Sequence, residues 1–199
     1  MISLSRVAKR NAKTFKVKAS VRIVNVVVTA TLNQTLDLNS IVKAFPEVQY
    51  RPQRFPGIVF RLKKPKTGNL IFSTGKMVCT GAKSERQAKR AVMRVVQRLK
   101  EKGILIGGRP TIKVVNIVAS ASLGGQVDVE KAVYALERIM YEPEQFPGAI
   151  YRMEEPKVVI LIYTNGKLVI TGAKTEEEAY QATARFQRRL EEEELIVYR

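Results

Sequence analysis

Hydrophobic and polar residues change their spacing repeatedly along the chain, and each change predicts a strand or a helix. Residues 21–32 are rich in β-branched side chains, which favours a strand. Residues 37–45 begin with Asp37 as a helix cap and place apolar side chains at helical spacing. After a turn rich in proline, the pattern predicts three strands, at residues 57–64, 67–73 and 76–80.

A long amphipathic helix is predicted to begin at Ser84. Ser84 and Gln87 have the spacing of a capping box, as do Thr175 and Glu178 further along the chain. Gly103 marks the expected end of the first long helix. The face of this helix that we expect to be buried carries Ala88, Ala91, Val92, Val95, Val96 and Leu99.

The whole pattern returns 91 residues later in the chain. Phe55-Pro56-Gly57, for example, returns as Phe146-Pro147-Gly148. With no gap introduced, about a third of the positions are identical between residues 20–108 and residues 111–199. A fixed period of this kind indicates two copies of one structural unit. The expected organisation is a basic N-terminal arm at 1–19, a first copy at 20–108, and a second copy with an acidic end at 109–199.

Each copy has too few helices to cover both faces of its sheet. Two copies side by side would form one continuous antiparallel sheet with all helices on one face, which is an α+β fold. Strict alternation in the first strand places Val24, Val26 and Val28 on one face, and Ile23, Asn25, Val27 and Thr29 on the other. One set packs on the helices. The other set stays uncovered, and an exposed apolar face is typical of a binding surface.

Small hydrogen-bonding side chains recur on the uncovered face in both copies. Asn25 and Thr80 have the equivalents Asn116 and Thr171. The floor of the DNA minor groove over A·T pairs offers only acceptors and lacks the guanine amino group. Amide and hydroxyl donors among flat apolar side chains therefore fit that groove. The alternative is that these are ordinary core strands and that Asn25 is an edge residue.

The net charge of the chain limits the kinds of partner that it is expected to bind. The chain holds 35 Lys and Arg against 18 Asp and Glu, a net charge of +17, which indicates a polyanionic partner. The alternative is a basic protein with no such partner. The excess is uneven, since residues 19–108 carry a net +13 and residues 109–199 a net −2. Residues 1–18 hold six basic residues and no acid, which fits an arm that touches DNA backbone or, alternatively, a mitochondrial presequence.

Few residues are suited to catalysis or metal binding. The chain has no His, and its single cysteine, Cys79, lies in an apolar run. This predicts a buried thiol in a reducing compartment rather than a nucleophile. No apolar stretch approaches the length that spans a bilayer. We therefore expect a protein that is not an enzyme, with no cofactor, no metal and no membrane partner.

Two aromatic residues of each copy lie in turns or at strand ends, where core aromatics are unusual. Apolar wedges that enter a base step unstack the bases and kink the duplex. Basic residues at the rim of such a face would hold phosphates without reading sequence. The candidate wedges are Phe55, Phe72, Phe146 and Tyr163, and the candidate phosphate contacts are Arg54, Arg61, Lys76, Lys83, Arg152, Lys167 and Lys174. The alternative for the wedges is four ordinary core aromatics.

At these residues the sequence resembles the TATA-box-binding protein family, archaeal in type, over about residues 20–190. The resemblance implies a curved saddle of about ten strands with four helices on its convex face. It also implies a general initiation factor that kinks the TATA element and recruits transcription factor B and RNA polymerase. By the same resemblance, the protein is expected in the archaeal cytoplasm or nucleoid, or in the nucleus if its source is eukaryotic. The runs that carry the resemblance are residues 73–83, 141–148 and 165–174.

The family's site residues carry over position by position. The four wedges keep the role already given. Glu142 and Glu144 would contact transcription factor B. Tyr163 stands where the family has Phe, so we expect weaker kinking at that end. The groove-floor contacts would be Asn25, Val27, Pro56, Leu70, Val78 and Thr80, with Asn116, Val118, Pro147, Leu161, Val169 and Thr171 in the second copy.

Several alternatives remain at this point. The long helix of the first copy carries Arg86, Lys89, Arg90, Arg94 and Arg98, which would meet upstream DNA, an acidic partner or only solvent. A paralogue with altered promoter preference would share every feature above. A nucleic-acid-processing enzyme or a single-strand binder could use the same fold. A homodimer through the apolar face is an alternative for the protein free of DNA.

Overall fold

A computed structural model describes residues 18–198, so most of the predicted basic arm lies outside the described residues. The elements of the first copy are β1 (Ser20–Thr31), α1 (Leu38–Ala44), β2 (Gln49–Arg51), β3 (Phe55–Leu62), β4 (Thr67–Phe72), β5 (Lys76–Ala82) and α2 (Glu85–Glu101). Those of the second are β6 (Thr111–Ser122), β7 (Gly125–Val127), α3 (Val129–Ala135), β8 (Ile139–Tyr141), β9 (Ala149–Met153), β10 (Val158–Ile162), β11 (Lys167–Ala173), α4 (Glu176–Glu192) and β12 (Ile196–Tyr198).

Ten of the described strands form one antiparallel sheet in the order β2-β3-β4-β5-β1-β6-β11-β10-β9-β8. The central pair is β1 with β6, one strand from each copy. Val26 pairs with Ile117, and these two residues occupy equivalent positions in the repeat. A pseudo-two-fold axis therefore passes through this pair, and the α+β prediction of a continuous sheet with four helices is confirmed.

The helices cover one face of the sheet. All six predicted core residues of α2 are buried, and α4 buries the equivalent stripe against β11 and β6. The predicted caps are confirmed, because Ser84 Oγ accepts from the Gln87 N–H at 3.1 Å and Thr175 Oγ1 accepts from the Glu178 N–H at 3.1 Å. No helix within residues 18–198 is both long and apolar enough to cross a membrane.

The N-termini of the two long helices meet at the pseudo-two-fold axis. The Glu85 N–H donates to Glu176 Oε1 at 2.7 Å, and the Glu176 N–H donates to Glu85 Oε1 at 3.3 Å. Each carboxylate thereby satisfies a first-turn N–H of the other helix, where the helix dipole favours negative charge. We call this pair the reciprocal clasp. It ties the two copies together on the helical side of the sheet.

Strict alternation was wrong at the start of β1. Ile23 is in the core, with 6% of its surface exposed, whereas Val24 is half-buried. The pairing of β1 with β6 shifts register between Ile23 and Asn25, so a β-bulge inserts one residue there. A bulge reverses the faces of the residues on one side of it. Ile23 therefore lies on the helix side, opposite to the prediction, while Asn25 and Val27 keep the predicted face.

A two-stranded sheet of β7 and β12 was also not predicted. It joins the C-terminal segment to the second copy, with Ile196 opposite Val127. At the equivalent place in the first copy, one side chain replaces the strand pairing. Gln34 Nε2 donates to the Leu105 carbonyl at 2.7 Å, and Gln34 Oε1 accepts from the Gly107 N–H at 2.8 Å.

Candidate nucleic-acid interface

The face of the sheet opposite the helices is uncovered within the described residues. Along β1, β4 and β5 the residues that alternate with buried core positions are half-exposed. The predicted floor residues Val27, Leu70 and Val78 lie on this face, as do Val118, Leu161 and Val169 of the second copy. We call it the concave face. Since it is apolar and carries no helix layer, the sheet offers a continuous surface to a partner.

The predicted donors Asn25 and Thr80 are in contact on the concave face. Their side chains hydrogen-bond at 3.3 Å, and Asn25 Oδ1 accepts from the Gly81 N–H at 2.8 Å. Gly81 has φ +97°, a conformation that favours glycine. Because the backbone N–H occupies the amide oxygen, the amide is held with one orientation. One Nδ2–H bonds to Thr80, and the other has no acceptor among the described residues.

The second copy reproduces this cluster. Asn116 Nδ2 donates to Thr171 Oγ1 at 3.3 Å, and Asn116 Oδ1 accepts from the Gly172 N–H at 2.8 Å. In the central strand pair Asn25 lies opposite Val118, and Val27 lies opposite Asn116. The two Asn–Thr–Gly clusters therefore lie next to the pseudo-two-fold axis. They belong to central strands, so the alternative that Asn25 is an edge residue is wrong.

The aromatic residues form one pair in each half. Phe55 and Phe72 have ring centroids 5.6 Å apart, and Phe146 and Tyr163 have centroids 5.8 Å apart, both in edge-to-face contact. The rings are half-buried at the start of β3, at the end of β4 and at the equivalent places in the second copy. They flank the concave face at both ends. Pro56 and Pro147 follow the first ring of each pair and are exposed.

Glycine is required behind each aromatic pair. A Cβ on Gly57 would lie 2.9 Å from the Phe55 ring, 3.0 Å from the Phe72 ring and 3.1 Å from the Ile71 carbonyl oxygen. Gly148 has the same constraint, with the Ile162 carbonyl oxygen at 2.7 Å and the Phe146 ring at 3.0 Å. The rings thus rest directly on backbone, which sets how far they project.

All seven predicted phosphate contacts are exposed. Lys76 and Lys167 begin β5 and β11, while Lys83 and Lys174 follow those strands. The Lys174 ammonium donates to the Val115 carbonyl, so part of its hydrogen-bonding capacity is used within the protein. The remaining predicted contacts are Arg54 in the loop before β3, Arg61 in β3 and Arg152 in β9.

Glu142 and Glu144 lie in the loop between β8 and β9 and are exposed. The Glu142 carbonyl accepts from the Gln145 and Phe146 N–H groups at 2.9 Å, which closes the loop into a tight turn. The equivalent segment of the first copy carries Arg51 at the end of β2 and Arg54 in the loop that follows. The two ends of the molecule therefore differ in charge although their backbones are equivalent.

Sequence reasoning missed two apolar residues of the concave face. Val59 pairs with Leu70, and Ile150 pairs with Leu161, so both lie on the concave face and are half-exposed. Each stands four residues after a wedge phenylalanine and two before a rim arginine. Alternation counted back from Arg61 and Arg152 would have found them.

The remaining chemistry of the described residues is sparse. Cys79 is buried, as predicted, and burial raises the pKa of its thiol to about 11. Such a thiol carries little thiolate near neutral pH and is a poor nucleophile. Within residues 18–198 no group of three His, Cys, Asp or Glu side chains is placed to ligate a metal.

Comparison with known proteins gives matches over nearly the whole chain. The family model described as transcription factor TFIID, or TATA-binding protein, matches residues 20–102 and 111–193. The TATA-box-binding protein of Pyrodictium occultum is 52% identical over 182 residues, which cover 92% of each chain. That of Sulfolobus acidocaldarius is 54% identical over 165 residues, which cover 83% of this chain and 84% of the relative.

The chain belongs to the TATA-box-binding protein family.

A solved structure of the family agrees with the fold. Methanococcus jannaschii TBP superposes with a TM-score of 0.81 at 42% identity, covering 87% of this chain and 99% of that one. The resemblance inferred from the sequence and the predicted saddle of the TATA-box-binding protein family are both confirmed. The family is one of transcription factors, and the relatives named above are archaeal.

Proposed function

We propose that this protein is a general transcription initiation factor that binds the minor groove of an A·T-rich TATA promoter element. In this proposal it kinks the element with inserted aromatic side chains and recruits transcription factor B and RNA polymerase. The observation that carries the proposal is the pair of Asn–Thr–Gly clusters beside the pseudo-two-fold axis of an uncovered apolar face.

The chemistry of the clusters supports the minor groove as the ligand. Adenine N3 and thymine O2 are acceptors, and a G·C pair adds an amino group that protrudes from the groove floor. Asn25 and Asn116 have oxygens held by backbone N–H groups, so each presents a donor. The neighbouring Val27 and Val118 would lie against the flat groove floor. A guanine amino group would meet these apolar side chains without an acceptor, which disfavours G·C pairs.

The aromatic pairs support kinking at the two ends of the bound element. Phe55 with Phe72, and Phe146 with Tyr163, flank the floor symmetrically and are half-exposed. Inserting a ring between base pairs costs unstacking, which the added contact with a bent duplex offsets. The exposed basic residues of the rim, such as Arg61 and Lys76, would supply affinity that falls with salt.

Replacing Asn25 by Asp tests the groove assignment. Asp keeps the shape of the side chain and an oxygen for the Gly81 N–H, but it removes the donor and adds negative charge. We expect the affinity for an A·T-rich duplex to fall by roughly 10- to 100-fold, because a lost hydrogen bond that leaves a buried group unpaired costs about 1–3 kcal/mol. Fluorescence anisotropy at fixed salt measures this affinity.

The matched control is Asn39→Asp, which makes the same charge change at an exposed residue of α1. It should leave affinity unchanged, and Asn116→Asp should reproduce the Asn25→Asp loss. Equal binding by all three variants would contradict the minor-groove proposal. Competition with single-stranded DNA of the same sequence distinguishes a single-strand binder, for which the single strand would displace the duplex.

Recruitment of transcription factor B is proposed to use the acidic loop between β8 and β9. Reversing Glu142 and Glu144 to Lys should abolish the ternary complex with transcription factor B and leave duplex binding intact, as measured by gel shift. The control reverses Glu192 and Glu194, which are exposed at the end of α4 and just beyond it. Unchanged recruitment by the Glu142 and Glu144 variant would contradict this contact.

A further inference from the structure

The outer face of α2 carries a stripe of basic side chains that points away from the sheet. Arg86, Lys89, Arg90 and Arg94 are exposed, while the opposite side of the helix is buried on β5 and β1. Within the described residues Arg86, Lys89 and Arg90 form no salt bridge, and the Arg94–Glu101 distance is 3.9 Å. We call these four residues the outer stripe. Its charge is largely uncompensated.

Arg98 belongs to the fold and not to the outer stripe. Its guanidinium lies 5.2 Å from the centre of the Phe45 ring and 5.1 Å from that of Phe60, and it pairs with Glu47 at 2.9 Å. A residue packed and paired in this way has a role in stability. Among the described residues Arg86, Lys89 and Arg90 have no such partners. Arg94 contacts only the Gln97 amide oxygen at 3.1 Å and the Glu101 carboxylate at 3.9 Å, both on its own helix, so the charge of the stripe needs another explanation.

The second copy does not repeat the stripe. Helix α4 has the same length and the same buried face, but the positions equivalent to the outer stripe hold Glu177, Tyr180, Gln181 and Arg185. Of these four positions only Arg185 stays basic, so the helix scaffold tolerates non-basic residues at the other three. Neither helix formation nor packing on the sheet therefore requires Arg86, Lys89 and Arg90 to be basic.

The spacing of the stripe suits a phosphate backbone. Arg86, Arg90 and Arg94 follow one line along the helix, about 6 Å apart, because four residues rise 1.5 Å each. The stripe thus covers about 12 Å. Along the duplex axis one strand carries a phosphate about every 3.4 Å, so a stripe that lies along the axis would span roughly three or four phosphates of one strand. Arginine and lysine at this density would release counterions on binding, which is a sequence-independent source of affinity.

The composition of the stripe favours nucleic acid over an acidic protein. Protein interfaces have an apolar or aromatic core surrounded by polar groups. The outer face of α2 has one exposed large apolar side chain, Met93, at 43% exposure. A surface built almost entirely from cations fits a partner that is bound by its charge alone.

We propose that the outer stripe of α2 is a second DNA-binding surface, which holds the phosphate backbone of another duplex segment while the concave face holds the promoter element. The two surfaces lie on opposite sides of the sheet, so the two duplexes do not compete for residues. This second contact reads no sequence. It goes beyond the proposed promoter function and would let one molecule bring two DNA segments together.

A two-duplex capture experiment tests the proposal. The protein is immobilised by an N-terminal tag and saturated with unlabelled A·T-rich duplex, and then a labelled short G·C-rich duplex is added. We expect the wild type to capture the second duplex in a strongly salt-dependent manner. The variant Arg86→Gln/Lys89→Gln/Arg90→Gln should capture at least ten-fold less of the second duplex than the wild type does. Its affinity for the A·T duplex should be unchanged.

Two further variants separate a local contact from overall charge. Lys43→Gln/Arg109→Gln/Arg188→Gln removes the same number of charges at exposed positions outside the stripe and should capture normally. Glu177→Arg/Tyr180→Lys/Gln181→Arg moves three of the stripe's charges to α4, and in the stripe-deficient chain it should restore capture. Both variants alter exposed helix or loop positions, so folding can be verified by unchanged thermal unfolding.

Two results of this experiment would contradict the proposal. Equal loss of capture in both charge-removal variants would overturn the proposal in favour of a nonspecific charge effect. Capture of labelled polyglutamate but not of the second duplex would overturn it in favour of an acidic protein partner. Failure of the proposed promoter function would appear separately, as absence of A·T duplex binding by the wild type, and would leave capture by the stripe measurable.

Discussion

Asn69 of β4 is a fully buried polar side chain on the helix-covered face of the sheet. Its Nδ2 donates to the Phe60 carbonyl at 3.2 Å and to Thr67 Oγ1 at 3.3 Å, but its Oδ1 accepts no hydrogen bond from any residue within 18–198. Cys79 pairs with Asn69 across β4 and β5. The second copy is wholly apolar there, with Val158, Ile160 and Ile170. The polar cluster is thus a feature of one half only.

Replacing Thr67 by Val and Asn69 by Ile, as in the second copy, should stabilise the protein by about 1–2 kcal/mol. The reason is that a buried acceptor without a partner costs roughly 1–3 kcal/mol, and the extra methyl groups add apolar burial. Denaturant unfolding measures the change. Asn69→Ala is the control, since it removes the amide but leaves a cavity and should give no gain. A loss of stability in the double variant would show that Ile does not fit between Phe60 and Cys79.

Tyr163 brings a hydroxyl to one of the four proposed wedges. Its ring contacts Phe146 in the same way as Phe72 contacts Phe55, so the hydroxyl is the main chemical difference between the two aromatic pairs. A hydroxyl inserted between base pairs loses its hydrogen bonds to water without gaining a defined partner. Tyr163→Phe should therefore increase affinity a few-fold and increase the bend, read by energy transfer between dyes at the two duplex ends. No gain in either quantity would contradict the expectation that the hydroxyl weakens kinking at this end.

At the scale of elements, the start of β3 positions the first aromatic pair through Gly57. Gly57→Ala would press a methyl group against the Phe55 and Phe72 rings and the Ile71 carbonyl, at separations of 2.9–3.1 Å. The rings must move, so we expect a smaller bend and affinity lower by several-fold, with fold stability reduced by about 1 kcal/mol. Gly107→Ala is the control, because its Cβ would meet only Gln34 Oε1 at 3.7 Å. An unaltered bend in Gly57→Ala would contradict the seating of the rings on this glycine.

The helices and strands also show which features of the fold can be predicted from the sequence and which cannot. Capping residues and the apolar stripe of α2 are local signals, so Ser84 and Leu99 were predicted correctly. The bulge beside Val24 comes from pairing with a strand that lies far along the chain, and alternation within β1 cannot detect it. The pairing of β7 with β12 is equally nonlocal. The same limit applies to Gln34, whose side chain substitutes for a strand only because residues 105–107 pass beside it.

The concave face could be predicted from the sequence because the repeat presents each of its positions twice. The presence of one asparagine in a strand, such as Asn25, can be explained in several ways. Asparagines at two equivalent positions, Asn25 and Asn116, call for one explanation that applies to both. The orientation of their amides could not be predicted, since it depends on Gly81 and Gly172 N–H groups from neighbouring strands. Val59 and Ile150 were missed although alternation from Arg61 and Arg152 indicates their face, and their pairing with Leu70 and Leu161 places them on it.

At the scale of the whole molecule, the two copies share their backbone but differ in charge. The residues around the pseudo-two-fold axis agree, including the Asn–Thr–Gly clusters and the reciprocal clasp of Glu85 and Glu176. The charge difference lies outside them, with a net +13 on residues 19–108 and −2 on residues 109–199. The contacts that pair the copies on the helical side and the surfaces that differ in charge therefore use different residues, and each can be altered alone.

This separation predicts how isolated halves behave. A fragment of residues 18–108 has an unpaired edge on β1, which in the full chain is covered by β6. Because Val26 and Ile117 are equivalent, two fragments can pair β1 with β1 in the same register, and Glu85 of each can cap the other's α2. We expect an isologous homodimer with the saddle's sheet order, weak at low salt because both copies of this fragment are strongly basic and stronger as salt screens the repulsion. Fragment 109–198, which has a net charge of only −3, should dimerise with little salt dependence, and the two fragments mixed at low salt should prefer each other. Sedimentation equilibrium over a range of salt concentrations measures all three associations, and a stably folded monomer of either fragment would show that the central strand pair is not needed to complete the sheet.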